Sequence, residues 1–276
     1  FFSQPIAAEV IWNTIFVAVV STIITVGVAL FFALAIAHTC VPFKNFFRSI
    51  ALLPLLTPSL LSAMALTQLF GNQGYLNDLM MGQSIYGPIG IVTGMSIAHF
   101  PHVFIILSAA LALSDARLFE AARALRASPL RIFFTVTLPS MKYGLVSAAI
   151  ASFTLCVTDF GIPKVIGGQY SMLATEIYKQ VVGQQNFQLG SVISILMLIP
   201  AAFAFIIDRR VRRFQAAALT SKAVPFMPRP NRLRDGAALV LCILVAVVML
   251  AMICVPGYAS FIKFWPYNME LTLRNY

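Results

Sequence analysis

The chain has 276 residues, of which 60% are hydrophobic and 10% are charged, and its mean hydropathy is +0.89. Soluble domains carry about 25% charged residues, so this composition excludes an ordinary soluble protein. The net charge of +10 indicates the basic cytoplasmic loops of a membrane protein rather than a nucleic-acid partner. Apolar blocks of about twenty residues, long enough to cross a hydrocarbon core, predict an all-α, polytopic protein in a lipid bilayer.

The apolar blocks predict about six transmembrane helices. In chain order they cover residues 14–37, 49–70, 89–113, 141–160, 190–207 and 236–256. Pro54 and Pro58 interrupt the second block, and because proline removes a helical hydrogen bond we expect a kink there. Such a kink fits a helix beside a pore and equally an ordinary packing kink.

The Lys and Arg residues are distributed unevenly between the polar connections. Segments 38–48, 114–142 and 208–235 hold 2, 5 and 8 of the 19. Because basic residues collect on the cytoplasmic side, segment 114–140 is predicted to be cytoplasmic and both ends of the chain external. The arginine cluster 209–213 is then expected to anchor the end of the fifth span to anionic lipid headgroups.

Segment 114–140 carries the start and stop signals of two helices. Ser114 can cap the first helix, with Asp115 in its first turn. This helix should end before Pro129, because the residue that precedes a proline disfavours the α region. Ser128 then caps a second helix that has Pro129 at its first position. An unstructured connection of this length is uncommon, so we interpret the segment as a helix–turn–helix rather than a solvated loop.

The first of these helices is predicted to have one apolar face. Leu118, Ala122 and Leu125 fall on that face at helical spacing, and the small side chain of Ala122 leaves room for a partner to approach. Glu120 and Arg123 are three residues apart, so they can form an ion pair on the helix surface.

The same segment resembles the EAA motif of type-1 ABC importer permeases. Glu120-Ala121-Ala122 matches the start of that motif and Leu138-Pro139 matches its end, with Val136 at an isoleucine position. Arg126 stands where the motif has glycine. This departure leaves open whether the tight turn of the family forms there or whether Ser128-Pro129 supplies the break instead. Trp12-Asn13-Thr14 and the run 159–163 also resemble this family, and the resemblance covers about 11–207.

The resemblance implies a permease in the inner membrane of a bacterial cell. Such a permease has no catalytic site and no cofactor; a dimer of separate cytoplasmic ABC ATPase subunits hydrolyses ATP, and an external substrate-binding protein delivers the cargo. The loop between the third and fourth spans would be the coupling helix that lies in a groove of the ATPase. The implied contact residues are Glu120, Ala121, Ala122, Arg123, Leu125, Arg126, Leu138 and Pro139.

The end of the chain resembles a tandem-fused subtype. Residues 265–268 and 271–273 are similar to the polar lead-in before the first span of another permease half. The implied domains are a five-span transmembrane domain (1–207), a basic cytoplasmic linker (208–235), and the first span and external lead-in of a second half (236–276). We therefore interpret the sequence as part of a longer polypeptide. Fused permeases of this kind import 2-aminoethylphosphonate or ferric iron, and 231–235 with 264–268 favour the phosphonate, leaving ferric iron as the alternative.

Three ionisable side chains near the predicted spans are candidates for a pathway or gate. His99 and His102 lie on one helix face, and ionisable groups inside a membrane are functional candidates by default. Helix packing is the alternative for both, and a metal site would need more ligands, so none is predicted. Asp159 either contributes to an outer gate or, as we favour, caps the turn 161–163. The four cysteines form no CxxC pair and are expected to be buried thiols.

The sequence leaves two other functional classes to compare with an importer permease. An ion-coupled secondary transporter would need charged residues within the spans, and only His99, His102 and Asp159 are available. A membrane scaffold without transport would not explain the capped helices of segment 114–140. No phosphate-binding loop or catalytic constellation is present in the sequence, so an enzyme is not predicted.

Overall fold

The computed structural model describes residues 5–218 and 226–274, and for residues 5–6 and 212–218 it describes the backbone alone. Four helices in these ranges are long and apolar enough to cross a membrane, or up to six if each of two bent pairs forms one span. The predicted all-α, polytopic class is therefore confirmed, with a small β-hairpin added near the end of the chain.

The first part of the chain forms α1 (Pro5–His38), α2 (Lys44–Leu52), α3 (Ser59–Phe70) and α4 (Pro88–Ala112), with 3-10 turns at Leu53–Leu56 and Asn77–Met80. The middle part forms α5 (Ala116–Ala124), α6 (Pro129–Ile132), a π-helical turn (Phe133–Thr137), α7 (Leu138–Ser140), α8 (Lys142–Thr158), α9 (Gly161–Ile166) and α10 (Leu173–Tyr178). A second π-helical turn (Lys179–Gly183) precedes α11 (Phe187–Ala218), α12 (Arg232–Ser260), β1 (Ile262–Phe264) and β2 (Asn268–Leu271).

The second predicted span is bent within its length, and the fourth begins at a bend. Lys44–Leu56 and Ser59–Phe70 meet at 103°, and Pro129–Ser140 meets Lys142–Thr158 at 70°. The first bend lies at Thr57, which is extended because Pro58 follows it. The kink predicted from the two prolines is confirmed, and it is a full break of the helix.

The bundle is centred on α1, α4 and α8. Phe32 of α1 makes edge-to-face contacts with Phe100 and Phe104 of α4, with ring centroids 5.5 and 5.0 Å apart. Gly144 of α8 brings that helix against α4, because an added Cβ there would lie 2.3 Å from the Cβ of Ala110. Most of the buried residues of α12, among them Cys242, belong to the same core. α12 is therefore part of this bundle.

Several predicted boundaries are wrong. The helix that contains the fifth predicted span, α11, continues to Ala218 instead of ending at 207. The arginines and alanines of 208–218 favour a helix, and no Gly or Pro interrupts them. Residues 208–218 are thus helical. α12 begins after Asn231, whose side chain accepts from Arg234 N at 3.2 Å, four residues earlier than expected. The predicted loop 161–189 contains α9 and α10.

The hairpin β1–β2 follows α12 and lies at the end of the bundle opposite α5. Lys263 Nζ lies 2.6 Å from Glu270 Oε2 and holds the pKa of the Glu270 carboxyl below its ordinary value. The Trp265 ring packs edge-on against Tyr75, with centroids 4.7 Å apart, so the hairpin is attached to the connection between α3 and α4.

The cysteines are divided between the interior and the surface. Cys156 and Cys242 are buried, but Cys40 and Cys254 are exposed, and all four thiols are free. The expectation of buried thiols is therefore wrong for Cys40, which follows α1, and for Cys254, which lies within α12. Of the arginine cluster 209–213, the side chains of Arg212 and Arg213 fall outside the described residues.

Candidate functional site

The segment between α4 and α8 begins with a capped helix. Asp115 is the N-cap of α5, and its carboxylate accepts from Arg117 N at 3.1 Å. Ser114, predicted as the cap, is buried and donates instead to Leu111 O at 2.6 Å. Because this serine is used to close the end of α4, the capping role passes to the next residue.

α5 ends in the turn that the sequence left open. Arg126 N donates to Arg123 O at 2.9 Å and Ala127 N donates to Ala122 O at 3.0 Å. This bonding pattern is a Schellman motif, which needs a left-handed residue and usually has glycine there. Arg126 takes that place with φ of 52°. The tight turn therefore forms at the motif's glycine position, and Ser128 also caps α6, accepting from Arg131 N at 3.3 Å.

The two faces of α5 differ in what they contact. Ala116 and Phe119 are buried against the bundle. Leu118 is 53% exposed and Leu125 is 83% exposed. Of the apolar face predicted from the sequence, Leu118 and Leu125 thus point away from the described chain, whereas Ala122 is half-buried. The neighbouring Ala121 is exposed.

The predicted ion pair between Glu120 and Arg123 does not form. The Arg123 guanidinium lies over the Phe226 ring instead, 5.3 Å from its centroid. Glu120 is exposed, and no ion pair involves it in the described part of the chain. At the other end of the segment Leu138 is half-buried and Pro139 exposed, where the chain turns into α8.

A buried polar cluster lies at the opposite end of α8. His99 Nε2 of α4 lies 3.2 Å from Asp159 Oδ2, and both side chains are buried. Asp159 Oδ1 also accepts from Ile162 N at 3.1 Å and from Ser59 Oγ at 3.2 Å. His99 Nδ1 contacts Cys156 Sγ at 3.4 Å. The carboxylate of Asp159 therefore caps α9, as favoured from the sequence, and in addition joins α9 to α3 and α4.

Glycine is required where these helices meet. An added Cβ on Gly161 would lie 2.8 Å from Ser59 Oγ and 3.0 Å from Leu60 N. Any larger residue would therefore separate the start of α9 from the start of α3, which holds Ser59 beside Asp159.

A cavity of about 410 Å³ opens beside this cluster. His99, His102 and Asp159 all line it, so the structure brings the three predicted candidates together. The surroundings of the two histidines differ: His99 is buried and contacts the Asp159 carboxylate, whereas His102 is exposed. Among residues 5–218 and 226–274, no group of three or more His, Cys, Asp or Glu side chains is placed to hold a metal ion.

The start of α1 is attached to the segment before α10. Thr14 Oγ1 accepts from Leu173 N at 2.9 Å, and Asn13 Nδ2 donates to Ser171 O at 3.2 Å. These contacts give Asn13-Thr14, singled out in the sequence by resemblance, a structural role. Sequence reasoning missed Ser59 and Phe226, because neither stands in a motif and both act across long distances in the chain.

Residues 26–213 match the family model of the binding-protein-dependent transport system inner membrane component. The chain belongs to this family. The family resemblance that segment 120–139 indicated is therefore confirmed.

Two curated relatives align with 99% of the chain. The putative ferric transport system permease protein FbpB 1 of Haemophilus influenzae is 26% identical, and the chain covers 45% of it. The ferric transport system permease protein FbpB of Actinobacillus pleuropneumoniae is also 26% identical, with 41% covered. The chain therefore spans less than half the length of these relatives, which are transport permeases rather than enzymes.

A solved structure shows the same fold. It is that of a bacterial alginate ABC transporter in complex with an alginate pentasaccharide-bound periplasmic protein. The TM-score is 0.61 at 15% identity, over 81% of this chain and 82% of that chain. The likeness establishes the helical arrangement of a permease and nothing about the cargo.

Proposed function

We propose that this chain forms one half of the membrane pathway of an ATP-driven importer and that α5 is the surface on which a cytoplasmic ATPase subunit docks. The observation that carries the proposal is the orientation of α5. Its inner face is buried through Ala116 and Phe119, while Leu118 and Leu125 are exposed beside Glu120. The two exposed leucines are apolar surface that a partner can bury. Full burial of one leucine side chain contributes about 1.5–3 kcal/mol to the free energy of association.

The ends of α5 make it suitable for transmitting force. Asp115 caps its start and the Schellman turn at Arg126 closes its end, so the helix is fixed at both termini. The basic character of segment 114–142 supports a cytoplasmic location in a bacterial inner membrane by the positive-inside rule. A partner that displaces α5 would therefore displace a rigid element rather than a flexible loop.

The bundle provides a route from α5 to the opposite membrane face. The continuous run Pro129–Ser140 leads into α8, and α8 packs closely on α4 at Gly144 and Ala110. Both helices reach the cluster of His99 and Asp159 beside the 410 Å³ cavity. We assign these two residues and His102 to the gate or pathway. ATP binding would then shift a two-state bundle whose states differ in their contacts at both ends.

Ferric iron is the cargo that we propose, delivered by an external substrate-binding protein. The two relatives that align along nearly the whole chain are named ferric transport permeases, and the alginate transporter contains a periplasmic protein. The predicted phosphonate cargo stays a prediction that no relative above supports. The chain covers less than half of each ferric permease, which supports the proposal that a second half follows the first. The proposed domains are 1–207, the connecting segment 208–235, which begins within α11, and the start of the second half at 236–276, which lies within α12.

Ion-coupled secondary transport is less well supported. It needs an ionisable group that is free to bind the coupling ion within the membrane. The Asp159 carboxylate already accepts from Ile162 N and Ser59 Oγ and contacts His99. This leaves His102 as the exposed candidate at the cavity.

The proposal is tested with the full-length protein and its candidate ATPase. The retained ATPase is measured in a detergent pull-down for wild type, Glu120→Lys and the matched control Asp78→Lys, which reverses an exposed charge at the opposite end of the bundle. We expect Glu120→Lys alone to release the ATPase. Vesicle uptake of ferric iron and of 2-aminoethylphosphonate then identifies the cargo. Absence of ATPase binding by wild type, together with uptake that follows an ion gradient, would overturn the proposal.

A further inference from the structure

Phe226 lies in a site made by two other elements at the α5 end of the bundle. Its ring centroid is 4.5 Å from that of His38, the last residue of α1, and 4.8 Å from that of Phe119 in α5. The guanidinium of Arg123 lies over the same ring at 5.3 Å. The inner face of α5 is therefore in contact with a residue that follows α11 in the chain.

The residues after Phe226 are also attached to the end of α1. We name 226–235 the strap. Cys40 Sγ contacts Pro228 O at 3.5 Å, and Cys40 N donates to Asp235 Oδ1 at 3.2 Å. Asp235 Oδ2 accepts from Asn231 N at 2.9 Å, which closes the strap onto the first turn of α12.

Arg234 stiffens the same segment. Its Nε and Nη2 lie 3.1 and 3.0 Å from Asp235 Oδ1, and Nη2 also donates to Arg229 O. At one end of the strap, the Phe226 ring is held by α5 and α1. At the other end, Asn231, Arg234 and Asp235 form a polar network. The last four residues of the strap, 232–235, are the first turn of α12.

A cavity of about 570 Å³ lies under the strap. It is lined by α1 through Phe31 and Leu34, by the α6 region through Phe133, and by α12 through Ala238 and Leu241. This space allows the α5–α6 segment to move relative to α1 and α12 without rearranging a packed core.

We propose that the strap transmits displacement of α5 to the start of α12 and that Phe226 is the positioning residue that links them. The inference rests on the proposed function, since it requires an ATPase that displaces α5. Arg123 and Phe119 move with α5, and both contact the ring, so displacement of α5 draws Phe226 and the strap with it. α12 lies outside the matched residues 26–213 and packs into the core beside α1, so the strap extends the movement beyond the family unit.

This assignment changes the role of Arg123. The resemblance places Arg123 among the residues that contact the ATPase, whereas here its guanidinium faces inward onto Phe226. The outward contacts of α5 are then left to residues such as Leu118, Glu120 and Leu125.

The main test compares Phe226→Ala with Met227→Ala in the full-length protein. Met227 is the neighbouring residue and is 83% exposed, so it is the matched control. Retention of the ATPase, ATP hydrolysis and cargo uptake are measured in reconstituted vesicles. We expect Phe226→Ala to retain the ATPase and hydrolyse ATP while uptake per ATP falls about fivefold or more, and Met227→Ala to match wild type. Phe226→Tyr, which keeps the ring, should restore uptake.

A second measurement does not depend on how Phe226→Ala folds. Pro228→Cys, treated with a short thiol cross-linker, should give a linked peptide containing Cys40 in mass spectrometry, and wild type should not. Absence of that link, or uptake per ATP in Phe226→Ala equal to wild type, overturns the strap. If the wild-type protein retains no ATPase, the proposed function is overturned instead. Retention by wild type is therefore measured before any strap variant is compared.

Discussion

His99 Nε2 and Asp159 Oδ2 lie 3.2 Å apart inside the bundle, and this contact joins α4 to the connection between α8 and α9. Asp159 also holds Ile162 N and Ser59 Oγ, so one carboxylate fixes the mutual position of four helices. A movement of α3, α4 or α8 relative to one another must therefore stretch or break the contacts of Asp159.

Replacing Asp159 should destabilise the protein strongly. Asp159→Ala leaves Ile162 N, Ser59 Oγ and His99 Nε2 without their acceptor, and each buried polar group left unsatisfied typically costs about 1–3 kcal/mol. Asp159→Asn should cost less, because its amide oxygen can still accept from Ile162 N. Thermal unfolding in detergent measures both. The control is His102→Ala at an exposed position of the same cavity, and an equal loss in all three variants would contradict the assigned role.

Replacing Arg126 by glycine should stabilise α5. A left-handed residue that carries a Cβ costs about 1–2 kcal/mol relative to glycine, and Arg126 has φ of 52°. The expected gain appears as slower hydrogen exchange of the amides at 121–125. Arg131→Gly is the opposite control, since it places glycine inside α6 and should destabilise by about 1 kcal/mol. Faster exchange in Arg126→Gly would contradict the Schellman turn.

Gly144 should not tolerate a side chain. Its Cβ would lie 2.3 Å from that of Ala110, so Gly144→Ala has to push α8 away from α4. Overpacking of this kind costs about 1–3 kcal/mol. Gly27 in α1 is the matched control, because nothing lies within 4 Å of its added Cβ and alanine favours a helix there. Thermal unfolding should therefore move in opposite directions for the two alanine variants.

The sequence was sufficient for features that depend on local chemistry. The apolar blocks are long enough to identify the spans, Pro54 and Pro58 determine the break at Thr57, and Ser128 caps α6 as its position before Pro129 predicts. Each of these follows from residues within a few positions of one another. The same is true of the EAA-like segment, which identified the family.

Contacts between distant parts of the chain could not be predicted. The long helices are apolar on every side, so no periodicity shows which face of α4 places His99 against Asp159. Phe226 stands in a segment without a motif, and its site is made by α1 and α5. The turn at Arg126 was left open for a different reason, because the surrounding structure can stabilise a left-handed backbone conformation that the residue itself disfavours.

The two faces of α5 should separate docking from folding. Leu125→Ser changes a side chain that is 83% exposed, so its effect on stability should stay within about 0.5 kcal/mol. Phe119→Ala removes a buried ring and should cost about 3–5 kcal/mol. If the outer face binds the ATPase, Leu125→Ser lowers the retained ATPase in a pull-down although its unfolding temperature is unchanged. Normal retention in Leu125→Ser and in Leu118→Ser would move the docking surface away from this face, because a partner seated there must bury both leucines.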